Sequence, residues 1–187
     1  MKGNFLAIDF ETANYSRDSA CSIGIVRVEK NKIVHKAVHL IRPPSRDFIF
    51  TYIHGITWND VKSAPTFKEV WKNIKSYFEG IDFLAAHNAG FDSGVLKACC
   101  STHGIIPPDT PFKCSMALAR KIWNLRPTKL SDVCNHLAIE LNHHEALSDA
   151  HACAQIIMAI EKTQYPKAVA TKPILRKKSP KSSEIAL

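Results

Sequence analysis

The sequence predicts an α/β domain in which a meander of three antiparallel strands is followed by alternating strands and helices. Two patterns predict it: three runs rich in Ile, Val and Phe follow one another near the N-terminus, and later short apolar runs alternate with segments of helical spacing. The 187 residues suit one sizeable core, and 45% hydrophobic with 22% charged residues is ordinary for a soluble globular chain.

Residues 4–10, 21–29 and 32–41 read as the three strands, with "EKNK" as a tight turn between the second and third. Residues 42–65 read as irregular, opened by "RPPS" and containing "IHGITWND". Phe67, Val70, Trp71, Ile74, Tyr77 and Phe78 then fall on one helical face. Thr66 and Glu69 have the form of a capping box at its start, and Gly80 closes it. "DFLAAH", 82–87, is a short apolar strand, and "FDSGVLKACCSTHG" a helix ending at Gly104. "PFKCS" is a last short strand. Helices are expected at 115–124, 130–140 and 148–162, the last presenting Cys153, Ile156, Ile157 and Ile160 on one face.

Apolar periodicity stops after Tyr165, which divides the chain into a domain of residues 1–165 and a basic tail of residues 166–187, expected to be flexible. The tail carries six cations against Glu184 and so supplies most of the net charge of +8. Such a balance points to a polyanionic partner. The six cysteines show no CxxC pair and sit mostly in apolar stretches, as reduced, packed residues do. No segment has the ~18 apolar residues of a membrane helix, and "MKGNFLAIDFET" lacks a signal-peptide core, so the expected location is cytoplasmic.

Three acidic clusters stand out. In "FLAIDFETAN" Asp9 and Glu11 project from the same face of a strand, where two carboxylates repel unless a cation lies between them. A hard divalent metal resolves that repulsion; two acids at a solvated strand end are the plainer alternative. "AAHNAGFD" places Asp92 where a strand gives way to a helix, with Asn88 as a turn-holding side chain. "HEALSDAHACA" places Asp149 in the first turn of the last helix and His144 in the preceding loop, within reach of a water it could deprotonate.

Taken jointly, "D-x-E", "HNAxFD" and "H-x-A-L-x-D-A", in this order, resemble the DEDDh class of 3′→5′ exonucleases, the superfamily of the epsilon proofreading subunit, ribonuclease T and oligoribonuclease. "IHGITWNDVKSAPTF", "FKCSMALARKIW" and "KLSDVCNHLAIEL" resemble that family's linking segments, so the likeness spans residues 4–162. It implies a ribonuclease H-like fold whose central mixed five-stranded sheet joins the meander to parallel strands. It also implies two Mg²⁺ or Mn²⁺ ions held by Asp9, Glu11, Asp92 and Asp149, with His144 as general base. His143 is the rival for that role, and the family's five-residue step to the last Asp selects His144. Thr12, His54 and Phe91 match positions that contact the terminal nucleotide.

The implied reaction is hydrolysis from a 3′ end to 5′-mononucleotides, with the 3′ ends of single-stranded DNA or RNA as partners. DNA is favoured, because "IDFETAN" and "CSIGIVRVE" look most like polymerase-epsilon-type chains. Trimming of RNA or short oligonucleotides is the alternative, and a nucleic-acid-binding accessory module without catalysis a minor one. A polymerase or a second copy of the chain is a candidate partner, and a membrane is not.

Overall fold

A computed structural model of the chain describes residues 3–164. The expected basic tail, residues 166–187, lies outside the described residues. Five strands form one mixed sheet: β1 (Phe5–Thr12), β2 (Ala20–Glu29), β3 (Lys32–Leu40), β4 (Phe83–Ala86) and β5 (Phe112–Cys114). Their order is β3-β2-β1-β4-β5, with β1–β2 and β2–β3 antiparallel and β1–β4 and β4–β5 parallel. The meander is closed by Lys30 and Asn31, whose φ angles of 49° and 62° give the double left-handed step that matches strand twist in a two-residue hairpin.

Period-two alternation sorts β1 between two apolar layers. Phe5 and Ala7 face a layer formed with α5 (Ser115–Trp123), α6 (Leu130–Leu137) and α7 (Ala146–Gln164), to which Val133, Ile156, Ile157 and Ile160 contribute. Leu6, Ile8 and Phe10 face the other, formed with α3 (Phe67–Ile74) and α4 (Ala89–Thr102) through Val70, Ile74, Val95 and Leu96. Each fully buried side chain of this size contributes about 1.5–3 kcal/mol, so β1 is held firmly from both sides. Asp9 and Glu11 continue the Phe5–Ala7 face, which brings them under the start of α7.

The structure corrects several boundaries. Residues 42–65 are not wholly irregular: α1 (Thr51–His54) and α2 (Trp58–Val61) each make one turn, too short to leave a periodic signal. Asp60 accepts the Thr57 amide at 2.7 Å and hydroxyl at 2.6 Å, which starts α2. Glu69 does the same for Thr66 ahead of α3, at 2.7 and 2.8 Å. The helix from Phe67 tightens to a 3₁₀ turn over Lys75–Phe78 before Gly80. The α6 helix stops at Leu137 because Ala138 turns left-handed, at φ 52°. The helices carrying the acids begin earlier than expected, at Ala89 and Ala146.

Gly24 fixes the height of α7 above the sheet. It pairs directly with Asp9 across β1–β2. A Cβ at this position would lie 2.1 Å from the carbonyl oxygen of Ala146 and 2.6 Å from the amide nitrogen of Leu147, both rigid backbone. Gly24→Ala must therefore lift the first turn of α7, and overpacking of this kind costs about 1–3 kcal/mol. Gly90→Ala, where a Cβ meets nothing within 4 Å, should be neutral or mildly stabilising. Thermal melting of the two variants beside the parent checks this, and a parental melting temperature for Gly24→Ala would refute it.

Candidate metal centre

The acidic end of β1 lies where the strand outruns its parallel neighbour. The β1–β4 ladder pairs Phe5, Leu6 and Ala7 only, because β4 has four residues against the eight of β1. Beyond it the Phe10 amide would lack a strand acceptor; it donates instead to Asp92 Oδ1 at 3.0 Å. This bond carries Asp92, from α4 on one side of the sheet, around the end of β4 to the acids of β1. Asp149 arrives from the other side, in the first turn of α7. On the β2 side the register shifts between Glu11 and Thr12, so that Glu11 pairs with Ser22 and Thr12 with Ala20. Such a bulge turns the strand end without breaking the sheet.

One oxygen from each of Asp9, Glu11 and Asp149 lies within 4.8 Å of the others. Asp92 lines the same cavity, of about 220 Å³, but stands outside that close triplet. All four expected ligands are thus brought to one cavity, three of them within 4.8 Å of one another. The cavity wall also includes Phe91, His87, His143 and His144.

The cluster is electrostatically unfavourable without a cation. Burial, then the charges of Asp92, Asp149 and Glu11, raise the Asp9 carboxyl well above the usual carboxylate range. Glu11 is pushed up to about 8 by burial and by Asp149 and Asp92. Burial also raises Asp92 to about 7, against the pull of the Phe10 amide. Asp149 is raised by burial, and His143 and His144 oppose that rise.

The donor set fits a hard divalent ion. All three converging atoms are carboxylate oxygens, which such ions prefer. The two oxygens of Asp149 differ: Oδ2 accepts from His143 Nδ1 at 2.9 Å and from the His144 amide at 3.3 Å, while Oδ1 is buried without a partner among the described residues. A buried carboxylate oxygen with nothing to accept is costly unless a cation takes it.

The two neighbouring histidines differ in the same way. His143 makes the side-chain contact to Asp149, whereas the His144 ring has no hydrogen-bond partner among the described residues and stacks on His143 at 3.8 Å. His144 also adopts a left-handed φ of 69°, uncommon for a residue with a Cβ. Burial and His143 lower its pKa, which favours the neutral imidazole.

Of the three expected nucleotide contacts, Phe91 lines the acidic cavity and is 39% exposed. Thr12 and His54 lie to one side, tied to each other: His54 Nε2 donates to the Thr12 carbonyl at 3.1 Å, and its Nδ1 accepts the Ile56 amide at 3.0 Å. Asn88 adopts a left-handed backbone ahead of α4, and its side chain makes no capping bond, contrary to the expected role. The residue type is used for its backbone freedom. Sequence reasoning assigned no role to His87, which donates from Nε2 to the Thr128 carbonyl at 3.0 Å and meets Ser115 Oγ at 2.9 Å, so fixing one cavity wall. It likewise passed over Gly24, whose signal was a glycine inside an apolar strand.

Comparison with known proteins agrees with this geometry. The family model RNase_T, described as exonuclease, matches residues 6–157. The chain is 32% identical over 171 residues to a DNA polymerase III PolC-type of Caldanaerobacter subterraneus, covering 88% of this chain and 12% of that protein. It is 34% identical over 158 residues to the PolC-type polymerase of Clostridium perfringens, covering 82% and 11%. The chain thus spans only about an eighth or less of the length of these relatives. Among solved structures it resembles Exonuclease X in complex with 5′ overhanging duplex DNA, with TM-score 0.70 and 25% identity over 85% of this chain and 92% of that one. It also shares the fold of the nuclease domain of 3′hExo bound to rAMP, with TM-score 0.72 and 19% identity over 87% and 92%. The chain belongs to the exonuclease family, in its DEDDh class of 3′→5′ exonucleases.

Proposed function

We propose that this domain removes 5′-mononucleotides from the 3′ end of single-stranded nucleic acid, DNA in preference to RNA, at a centre holding two Mg²⁺ or Mn²⁺ ions. The observation that carries this reading is the convergence of Asp9, Glu11 and Asp149 within 4.8 Å, with Asp92 in the same cavity. Asp9, Glu11 and Asp149 would hold one ion, and Asp92, in the same cavity, would help to hold the second. Divalent cations supply positive charge where a phosphodiester gains negative charge during displacement, and they acidify the attacking water. The preference for DNA rests on the PolC-type relatives, whose names are those of DNA polymerases.

The chain's own residues supply orientation and proton transfer. Phe91 offers an aromatic face at the cavity mouth for the terminal base. The His54–Thr12 bond braces the backbone immediately after Glu11, where the terminal sugar would rest. His143, bonded to Asp149, holds that carboxylate in place. His144, with both ring nitrogens free of bonds among the described residues, is the base that takes a proton from water.

Matched DNA and RNA oligomers, incubated with Mg²⁺ or Mn²⁺ and resolved by length, test the proposal. The expected result is stepwise shortening of the DNA from its 3′ end, faster than of the RNA. Equal rates would remove the DNA preference, and intact substrates with both ions would overturn the activity.

His144→Ala should lower kcat by about 10²–10⁴-fold, the usual worth of a positioned base, and leave the Mn²⁺-induced thermal shift intact. His143→Ala should lower it less and weaken that shift. If His143→Ala proves the more damaging to kcat while metal binding survives, His143 is the base.

The raised carboxyls also make stability depend on pH. Their folded-state pKa values exceed the unfolded ones, so folding loses stability as pH climbs from about 4.5 through the value of about 8 at Glu11. A bound cation replaces the retained protons, so Mn²⁺ should raise the melting temperature more at pH 8 than at pH 5. Asp9→Asn should abolish hydrolysis yet stabilise the metal-free protein at pH 8, by about 2–4 °C per kcal/mol of repulsion relieved. Melting curves with EDTA and with Mn²⁺ at the two pH values check both, and a pH-independent Mn²⁺ shift would contradict the electrostatic account.

A further inference from the structure

A second groove lies at the same end of the sheet as the carboxylates. It has a volume of about 680 Å³ and is lined by Arg42, Arg46, Lys62, Trp58 and His103, among others. Arg42, Arg46 and Lys62 are exposed, and none makes an ion pair with a carboxylate among the described residues. The acids nearby are engaged mainly by neutral donors, with weaker pulls from Arg42 on Glu69 and from His103 on Asp18. Glu69 is held by Thr66, Asp60 by Thr57, and Asp18 by the hydroxyls of Ser16 and Thr102. The guanidinium of Arg46 lies 5.3 Å above the Trp58 ring, and Phe48 meets Trp58 edge-on at 6.4 Å.

The topology ties this groove to the catalytic strand. Leu40 pairs with Ser22, which pairs with Glu11, and Arg42 follows two residues later. Two strand spacings separate β3 from β1, so Leu40 runs roughly 10 Å to the side of Glu11. The groove opens beyond it, walled also by Thr66 at the start of α3 and by Thr102 and His103 at the end of α4. The loop that carries Arg46 is bonded back to the end of β1, where the amides of Ile49 and Phe50 donate to the Ala13 carbonyl at 2.7 and 3.1 Å. In the segment that follows β1, Tyr15, 81% exposed, stands edge-on to Phe50 at 4.8 Å. Trp58 and Phe48 are half-buried against Val61, while Arg42 and Lys62 bond only neutral oxygens, those of Lys62 and Asn59 at 3.5 and 3.2 Å. Cations without carboxylate partners beside aromatic rings are a usual means of holding a nucleic-acid backbone without reading its sequence.

We propose that Arg42, Arg46 and Lys62, over Trp58, form a second nucleic-acid subsite that grips phosphodiester backbone outside the catalytic cleft. The proposal rests on the exonuclease reading above. The backbone comes from one of two sources: the 5′ portion of the strand being shortened, or the complementary strand of a duplex end.

The test compares the full chain with an Arg42→Ala/Arg46→Ala/Lys62→Ala variant. A Lys68→Ala/Lys72→Ala/Lys75→Ala variant controls for net charge, its three lysines being exposed on α3 and the turn after it. Binding of fluorescein-labelled dT4, dT16 and a 16-base-pair duplex with a 3′ overhang of four thymidines is read by anisotropy in EDTA over a salt series. The groove variant should bind dT4 within twofold of the parent and at least one longer probe at least tenfold more weakly. Its salt slope should be smaller by about 2, as three lost single-strand phosphate contacts imply. A loss on dT16 assigns the groove to the strand's own 5′ portion, and a loss on the duplex alone assigns it to the complement. Unchanged affinity for both long probes, equal weakening on dT4, or the same loss in the lysine control would overturn the subsite. Hydrolysis of all three probes with Mn²⁺ is read in parallel. A parent that cuts dT4 while the groove variant binds as the parent does rejects the subsite alone, and a parent that cuts none of the probes rejects the exonuclease reading.

Discussion

Four carboxylates held at one end of a sheet set the terms for the rest of this structure. Buried acids of like charge repel, and their hydration is lost, so both effects oppose folding. What opposes them is specific: the amides of Phe10 and His144, the imidazole of His143, and two apolar layers that clamp β1 along its length. Even so, Asp149 keeps one oxygen without a partner among the described residues, and burial with the charges of Asp149 and Asp92 pushes Glu11 up to about 8. A fold that leaves such defects where β1 meets α7 suits a cation that would complete them.

Convergence of the acids depends on unequal strand lengths and on one missing side chain. A β4 as long as β1 would satisfy the Phe10 amide with backbone, and Asp92 would lose the bond that draws it around the strand end. A side chain at position 24 would raise α7 and carry Asp149 away from Asp9, which pairs with position 24. Both devices act on backbone, so the geometry of the centre is set before any metal arrives. The histidine loop follows the same logic, since the left-handed step at His144 aims two adjacent rings at one opening.

Most of this architecture was legible because it is local. Period-two runs marked the meander, the positive-φ pair sat where "EKNK" suggested a turn, and Thr66 with Glu69 marked a helix start that the structure reproduces. Asp9 and Glu11 on a common face followed from strand geometry alone. What escaped is set by distant partners. One-turn helices such as Thr51–His54 have no period to detect; the bond of His143 to Asp149 depends on a loop's path; and the clash that requires Gly24 involves a helix more than a hundred residues away. His87 was visible as a residue, but its partners Ser115 and Thr128 come from segments that only the folded chain brings near.

The carboxylates proposed to hold a cation would also face a substrate of their own sign. A polyanion approaching an acidic cavity is repelled until the cations are in place, so attraction has to come from elsewhere on the surface. It cannot come from beside the acids, because a lysine or arginine there would pair with them and displace the metal. Cations set roughly two strands away avoid that outcome, since screening at physiological salt weakens interactions beyond ~8 Å while direct contact with phosphate remains strong. Arg42, Arg46 and Lys62 occupy that position, without carboxylate partners among the described residues. Separation of the proposed metal-binding end from the proposed phosphate-binding flank would let an acidic centre act on an acidic polymer.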